Sequence, residues 1–259
     1  MQNETLRYSV IIPCLNREDT ISKTLDSVIT QLYDNLEIIV IDGASTDSTL
    51  NIVNEYKDYL KTVISEPDNG LYDAMNKGIK LATGDIIGIL NADDYYINDN
   101  VLGSVAEEFK QHTVDAVFAD LEYFASDNPD KVVRYYSSKR FTPERLKYGW
   151  MPAHPTLFLK RSIYDRYGYY KTNYKIAADY EFMVRIFWKN SVPYSYINAP
   201  LIKMRTGGIS SRRGVNTYIL NKEVIKACKE NGLYINWIYV LSKYPVKVAE
   251  LFTNKQASA

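Results

Sequence analysis

With 259 residues, 46% of them hydrophobic and 24% charged, the chain has ordinary globular composition and the length to bury one large core or two small ones. Its 31 basic and 31 acidic side chains cancel, so no global field draws it to nucleic acid or anionic lipid, and a polyanion partner is not expected. Cys14 and Cys228 fit neither a metal-ligand spacing nor a disulfide framework, which agrees with a reducing cytoplasm.

The start Met1-Gln2-Asn3-Glu4 lacks the basic and apolar stretches of a signal peptide, and no run reaches the roughly 18 apolar residues of a membrane span, so a soluble or peripheral protein is expected. Tyr8-Ser9-Val10-Ile11-Ile12-Pro13 reads as a buried strand stopped by proline. Ile21, Leu25, Val28, Ile29 and Leu32 then recur at helical spacing. Leu36 to Ile41 is a second strand, and the turn Asp42 to Asp47 offers a Ser or Thr cap for a helix beginning near Ser48. Thr62 to Ser65 makes a third strand, Leu71 to Leu81 a helix and Asp85 to Leu90 a fourth strand. This alternation is that of consecutive βαβ units, whose right-handed crossovers give a doubly wound, mostly parallel sheet with its loops gathered at the carboxyl ends of the strands.

Beyond about residue 111 the alternation loosens into short β-like pieces at Asp115 to Phe118 and Lys131 to Tyr136, then an irregular stretch from Ser137 to Pro155. A helix is expected from Ala178 to Trp188, strands at Tyr194 to Ile197 and Leu201 to Arg205, and a loop at Gly207-Gly208. Val215 to Phe252 reads as helical, with Pro245 kinking the last helix or beginning its second half. The expected organisation is an α/β domain over 1–213, divided near residue 110, followed by a helical extension over 214–259.

Asn91-Ala92-Asp93-Asp94 follows the fourth strand directly, where open α/β sheets bind ligands. Carboxylate oxygens there suit Mn²⁺ or Mg²⁺, ions that complete their shell with water and substrate phosphate. The same four residues also make a good turn and helix start. Asp42 ends the second strand as Asp93 ends the fourth, beside a first loop carrying Pro13, Asn16 and Glu18. A convergence of polar groups at one sheet edge is hard to ascribe to folding alone.

At this point the residues resemble the family 2 glycosyltransferases. The resemblance is carried by Val10-Ile11-Ile12-Pro13-Cys14-Leu15-Asn16, by Val40-Ile41-Asp42-Gly43-Ala44-Ser45-Thr46-Asp47, by Glu66-Pro67-Asp68-Asn69-Gly70, by Asn76-Lys77-Gly78-Ile79 and by a strand ending in an Asp-x-Asp-like element. It runs from about Tyr8 to about Ser210 and implies the GT-A fold, a Rossmann-like sheet that binds a nucleoside diphosphate sugar and inverts its anomeric centre. It implies that Asp42 accepts from uracil N3–H, that Pro13 and Asn16 wall the nucleoside pocket, and that Asp68 and the Asn76-Lys77-Gly78 turn flank the diphosphate. Asn91 and Ala92 then line the donor site and Asp93 reaches the metal. Two departures stand out. Asn91 replaces the usual first aspartate, which leaves Asp94 to help hold the ion, and Met75 replaces a common arginine, which leaves Lys77 as the nearest cation.

The resemblance also makes Asp179 the base that deprotonates an acceptor hydroxyl; without it, Asp179 is an acid at a helix start, stabilised by the dipole. His154, between Pro152 and Pro155, resembles a histidine of polysaccharide-building members that touches acceptor or diphosphate, and is otherwise a hydrogen-bonded loop residue. Arg205-Thr206-Gly207-Gly208-Ile209-Ser210 is similar to a mobile closing loop in which Arg205, Arg212 or Arg213 meets phosphate, with a plain glycine turn as the alternative. Tyr234, Trp237, Ile238, Leu241, Val248 and Phe252, beside Lys243 and Lys247, form a stripe that suits a membrane interface, packing on the main domain, or a homodimer contact. The 23 tyrosines suit sugar stacking or reflect a composition bias. The reading is an inverting, metal-dependent transferase moving a sugar from a UDP-sugar to a glycan acceptor, polyprenyl-diphosphate-linked, at the inner face of the cytoplasmic membrane. Its rivals are a nucleotidyltransferase, against which the glycine-free loop Cys14 to Glu18 argues, and a non-catalytic nucleotide-sugar-binding subunit.

Overall fold

The computed structural model describes residues 5–125, 128–207 and 215–242. The first four strands are β1 (Tyr8–Cys14), β2 (Leu36–Asp42), β3 (Thr62–Ser65) and β4 (Ile86–Ile89), with helices α1 (Ile21–Ile29), α2 (Thr49–Glu55) and α3 (Leu71–Leu81) between them. They pair in parallel in the order β3-β2-β1-β4. All of β1 is buried, which is why it reads as a continuous apolar run rather than an alternating one. The alternation instead sorts residues between two cores. Ile11, Ile39 and Ile41 face Met75 and Ile79 of α3, whereas Val10, Ile12, Ile38 and Val40 face Leu25 and Val28 of α1.

Pro13 does not stop β1, which continues through Cys14. Pro13 pairs with Ile41 of β2, while β4 reaches only as far as Ile11, so the missing N–H falls where β1 has lost its second neighbour. Gly78 marks the closest approach of α3 to the sheet: a Cβ there would overlap the Ile11 side chain.

Beyond β4 the sheet becomes mixed. Strands β5 (Tyr95–Tyr96), β6 (Ala116–Ala125), β7 (Asn128–Tyr136), β8 (Phe158–Lys160) and β9 (Tyr194–Arg205) extend it as β4-β8-β6-β9-β5, with β7 on β6. Pairs β4–β8, β8–β6, β9–β5 and β6–β7 are antiparallel, and β6–β9 is parallel. The two strands expected over 194–205 are one strand, with register shifts opposite Ala119 to Leu121. Helices α4 (Val101–Gln111) and α5 (Arg161–Tyr167) were not expected. Helix α6 (Ala178–Met183) gives way to a wider turn over Val184–Lys189, so the helix expected to Trp188 changes pitch halfway.

The extension holds α7 (Val215–Glu230) and α8 (Trp237–Leu241). A single helix through this region is interrupted at Gly232, whose φ of 75° ends α7 while Leu233 N–H returns to Cys228 C=O at 2.9 Å. The Asn236 side chain then accepts from Tyr239 N–H and starts α8. Gly208, Ser210, Arg212, Arg213, Lys243, Pro245, Lys247, Val248, Phe252 and the expected boundary at 213/214 lie outside the described residues. No helix among the described residues is long and apolar enough to cross a membrane.

Replacing Gly78 with Ala is expected to cost about 1–3 kcal/mol by overpacking α3 on β1. Thermal unfolding should show Tm falling by about 2–4 °C for each kcal/mol lost.

Candidate active site

Parallel pairing brings the loops after β1, β2, β3 and β4 to one edge. The first two are laced together. Asn16 adopts φ 51° and its Oδ1 accepts from Thr46 N–H at 2.9 Å, while its own N–H donates to Ser45 Oγ at 2.8 Å. Glu18 accepts from Ser48 N–H at 2.9 Å, just ahead of α2, and Arg17 N–H donates to Thr49 Oγ1 at 2.6 Å. Asn16 Oδ1 and one oxygen of Glu18 are thus used in loop structure, and Pro13 is buried within β1.

Asp42 is fully buried at the end of β2. Its carboxylate accepts from Ser45 N–H at 3.1 Å, Ser65 Oγ at 2.6 Å, the Ser45 hydroxyl and, weakly, Cys14 Sγ at 3.7 Å. A base reading Asp42 has to take the place of one of these donors. Beside it, Gly43 leaves room for Asp68: a Cβ at Gly43 would lie 2.9 Å from Asp68 Oδ2 and 3.5 Å from Leu15 Cδ1. Leu15 is half exposed over this spot and gives it an apolar wall that sequence reasoning did not single out.

Lys77 does not offer a free cation. Its ammonium lies 2.6 Å from Asp68, 2.8 Å from Glu66 and 3.9 Å from Asp73, and hydrogen bonds to Asp68 and Glu66 raise its pKa well above the lysine range. Met75, on α3, is buried in the hydrophobic core. The cation nearest the candidate metal acid is Arg17, with Nε 3.9 Å from Asp93 Oδ2. It stands in the first loop, the same position after a strand that drew attention to Asn16 and Glu18.

Asp93 and Asp94 differ sharply. The Asp93 side chain is 28% exposed and faces Arg17. Asp94 is buried, and its oxygens accept from Asn91 Nδ2 at 3.1 Å and Arg205 N–H at 3.2 Å, tying the loop after β4 to the end of β9. Burial first, and the charge of Asp93 second, push the Asp94 carboxyl well above the ordinary carboxylate range. Asp94 thus holds the loop after β4 against the end of β9. Ala92 is buried, its C=O accepting from Thr20 Oγ at 2.7 Å.

Among the described residues no group of three or more His, Cys, Asp or Glu can hold a metal ion. One detail nevertheless suits an ion that arrives with a diphosphate: Asn91 Oδ1, at the position of the absent aspartate, is buried without a hydrogen-bond partner. One accessible carboxylate with water and phosphate oxygens is an ordinary Mg²⁺ donor set. Next to Asp93 a cavity of about 130 Å³ is lined by Thr20, Lys23, Tyr95, Phe124 and Arg205, among others, with the Lys23 ammonium 4.0 Å from the Tyr95 ring centroid.

Asp179 stands half-buried in the first turn of α6. Its Oδ1 accepts from Tyr180 N–H at 2.8 Å and lies 3.2 Å from the Tyr72 hydroxyl. Tyr72 opens α3 at the sheet's carboxyl edge, so this contact brings Asp179 to the edge that carries Asp42, Asp68 and Asp93. Glu181 turns away into the interior, paired with Arg185 at 2.8 Å and Lys171 at 3.0 Å. Burial pushes its carboxyl up, but Arg185, Asn231 and Lys171 together hold it below the ordinary range.

His154 is buried, its Nε2 2.9 Å from the Tyr170 hydroxyl. Burial lowers its pKa, against the opposing charge of Asp179, so the ring is neutral at neutral pH. Tyr170 in turn stacks on Tyr72, with centroids 6.0 Å apart. His154 is thus hydrogen-bonded in the interior, with Tyr170 and Tyr72 leading from it to Asp179.

The family model described as Glycosyl transferase family 2 matches residues 9–168. A PGL/p-HBAD biosynthesis glycosyltransferase of Mycobacterium tuberculosis is 30% identical over 223 residues, covering 85% of this chain and 82% of that one. The Escherichia coli UDP-Glc:alpha-D-GlcNAc-diphosphoundecaprenol beta-1,3-glucosyltransferase WfaP is 31% identical over 62% of this chain and 61% of its own. Among solved structures, S. aureus TarS 1-349 in complex with UDP-GlcNAc superposes with TM-score 0.70 at 22% identity over 88% of this chain and 68% of that chain. The mannosyltransferase PcManGT from Pyrobaculum calidifontis, in complex with GDP-Man and Mn²⁺, gives 0.64 at 23% identity over 88% and 64%.

Changing Tyr170 to Phe leaves the buried His154 Nε2 without its partner and is expected to cost about 1–3 kcal/mol. A lower denaturant midpoint with unchanged UDP affinity is the expected result; weakened UDP binding would instead place His154 at the donor.

Proposed function

The chain belongs to glycosyl transferase family 2, and on that premise we propose an inverting transfer of a hexose or N-acetylhexosamine from a UDP-sugar to a hydroxyl of a lipid-linked glycan in bacterial surface polysaccharide assembly. The observation that carries this reading is the Tyr72–Asp179 contact, which sets an acid in the first turn of α6 at the same sheet edge as Asp93. Names of relatives support the substrate classes: a UDP-glucose donor and a diphosphoundecaprenol-linked acceptor for WfaP, and UDP-GlcNAc bound to TarS.

In this mechanism Asp179 takes the proton of the acceptor hydroxyl as its oxygen bonds to the anomeric carbon. The bond from that carbon to the diphosphate oxygen breaks on the opposite face, so one displacement inverts the centre. Tyr72 and the Tyr180 N–H orient the Asp179 carboxylate. Asp42 receives the uracil N3–H when Ser45 yields its place, and Leu15 covers the ring. Arg17 stands where it can meet the diphosphate charge. Asp93, with Asn91 Oδ1, would hold Mn²⁺ or Mg²⁺, which when bound supplies positive charge to the leaving diphosphate.

A pair of variants separates these roles. Asp179→Asn should lower transfer by ~10²–10⁴-fold while UDP binding persists, since that is the usual contribution of a general base. Asp93→Ala should weaken UDP binding in the presence of Mn²⁺ and leave it unchanged in its absence. Donor screening with UDP-glucose, UDP-galactose and their N-acetyl forms identifies the sugar; ordinary turnover by Asp179→Asn would remove the base assignment.

The C-terminal helices carry the proposed contact with the membrane that holds such an acceptor. Tyr218, Tyr234, Trp237, Ile238 and Leu241 are exposed together there, with Tyr218 stacked on Trp237 at 6.0 Å and exposed Lys222 and Lys229 also on α7. The double change Trp237→Ser, Ile238→Ser is expected to abolish co-sedimentation with phosphatidylglycerol vesicles. A shift from dimer to monomer, with sedimentation unchanged, would assign this face to a second copy of the chain.

A further inference from the structure

Helix α7 lies beyond the residues matched by the family model, yet it touches the backbone that leads into the candidate base. Glu223 of α7 presents its carboxylate to successive N–H groups: Lys175 N–H donates to Oε1 at 2.7 Å, and those of Ile176 and Ala177 both donate to Oε2 at 2.9 Å. Consecutive amides aimed at one point make an anion-binding nest, and here the protein supplies the anion. Hydrogen bonds to an ionised acceptor are stronger than neutral ones.

The opposite side of this segment is held as well. The Tyr72 hydroxyl lies 2.5 Å from Ile176 C=O and 3.2 Å from Asp179 Oδ1, so its single proton serves one of the two at a time. Residues 175–177 are thus gripped through their N–H groups by α7 and through a carbonyl by α3. Asp179 follows at once, on a helix of six residues. Asp179 therefore stands in the first turn of a helix that runs on through the wider turn over Val184–Lys189, and the helix's direction at that end is set by the segment gripped before it.

We propose that Glu223 is a positioning residue for Asp179, through which the C-terminal extension completes the active site. The proposal rests on Asp179 being the base. Glu223 fixes the backbone before α6, so the Asp179 carboxylate meets the acceptor hydroxyl at one angle instead of several. The donor pocket, built on β1, β2 and β4, does not depend on it. Small displacements of a catalytic group cost rate steeply, whereas the ground-state affinity of a separate pocket is unaffected.

The test uses the full chain and hydrolysis of whichever of UDP-glucose, UDP-galactose and their N-acetyl forms the wild type turns over, with Mn²⁺. Glu223→Ala should lower kcat by ~10–100-fold with the donor KM and the UDP Kd unchanged. Glu223→Gln, which keeps one accepting oxygen, should fall between it and the wild type. Amide exchange over 175–183 should quicken in both. Asn231→Ala, just past the end of α7, breaks a different link to α6, the 3.1 Å bond to Glu181, and serves as a packing control. Wild-type kcat in the Glu223 variants despite quickened exchange overturns the proposal, as does a kcat loss no larger than that of Asn231→Ala at equal loss of Tm. A fully active Asp179→Asn protein fails differently, because it removes the base itself whatever Glu223 does.

Discussion

Strand β1 is hydrogen-bonded along one side to β2 over its whole length and along the other to β4, in parallel. Parallel pairing in register forces the ends of neighbouring strands to the same level, so Cys14, Asp42 and Ser65 stand side by side. Every contact at the site begins there. Asp42 can accept from Ser65 because β2 and β3 end together, and the first loop can lace to the second because their strands do. Gly78 then lets α3 sit close enough to β1 for Tyr72, at its start, to reach across to α6.

The electrostatics follow from how the cations at that edge are already engaged by carboxylates. Glu66, Asp68 and Asp73 surround Lys77, and Asp93 faces Arg17 across 3.9 Å. A nucleoside diphosphate approaching this rim meets carboxylates whose charge is largely, but locally, balanced. The substitution of Asn91 for an acid moderates the same problem, since it removes one negative charge next to where phosphate must lie. Burial and the neighbouring Asp93 both disfavour the charged form of Asp94.

The βαβ half was legible because its strands are covered on both faces and therefore spell apolar runs, as in Val10-Ile11-Ile12 and Ile38 to Ile41. Strands β5 and β8, two and three residues long, are too short for any periodicity, and their existence depends on partners far along the chain. Position after a strand pointed correctly to the edge where Asp42 and Asp93 stand, but could not tell ligand-facing side chains from loop-holding ones. Asn16, Glu18 and Asp94 each also hold a loop through a side-chain oxygen, which their positions in the sequence do not show. Arg17 stands in the same loop, and only its 3.9 Å approach to Asp93 in the folded chain distinguishes it. Glu223 offered no signal at all: its partners lie more than forty residues away, and a glutamate in a polar helix is unremarked.

The thiol of Cys14 points at the Asp42 carboxylate from inside the sheet, and burial first, then that charge, hold it far above the thiol range. Cys228, buried beside Tyr180, is pushed up to about 11. Neither supplies appreciable thiolate at neutral pH, and thiolate is what alkylating and oxidising reagents attack. With these the only two cysteines in the chain, both buried, the native protein is expected to react slowly with maleimides. A single cysteine placed on the exposed face of α8 would then be the preferred point of attachment for a fluorophore, far in sequence from the residues of the sheet edge.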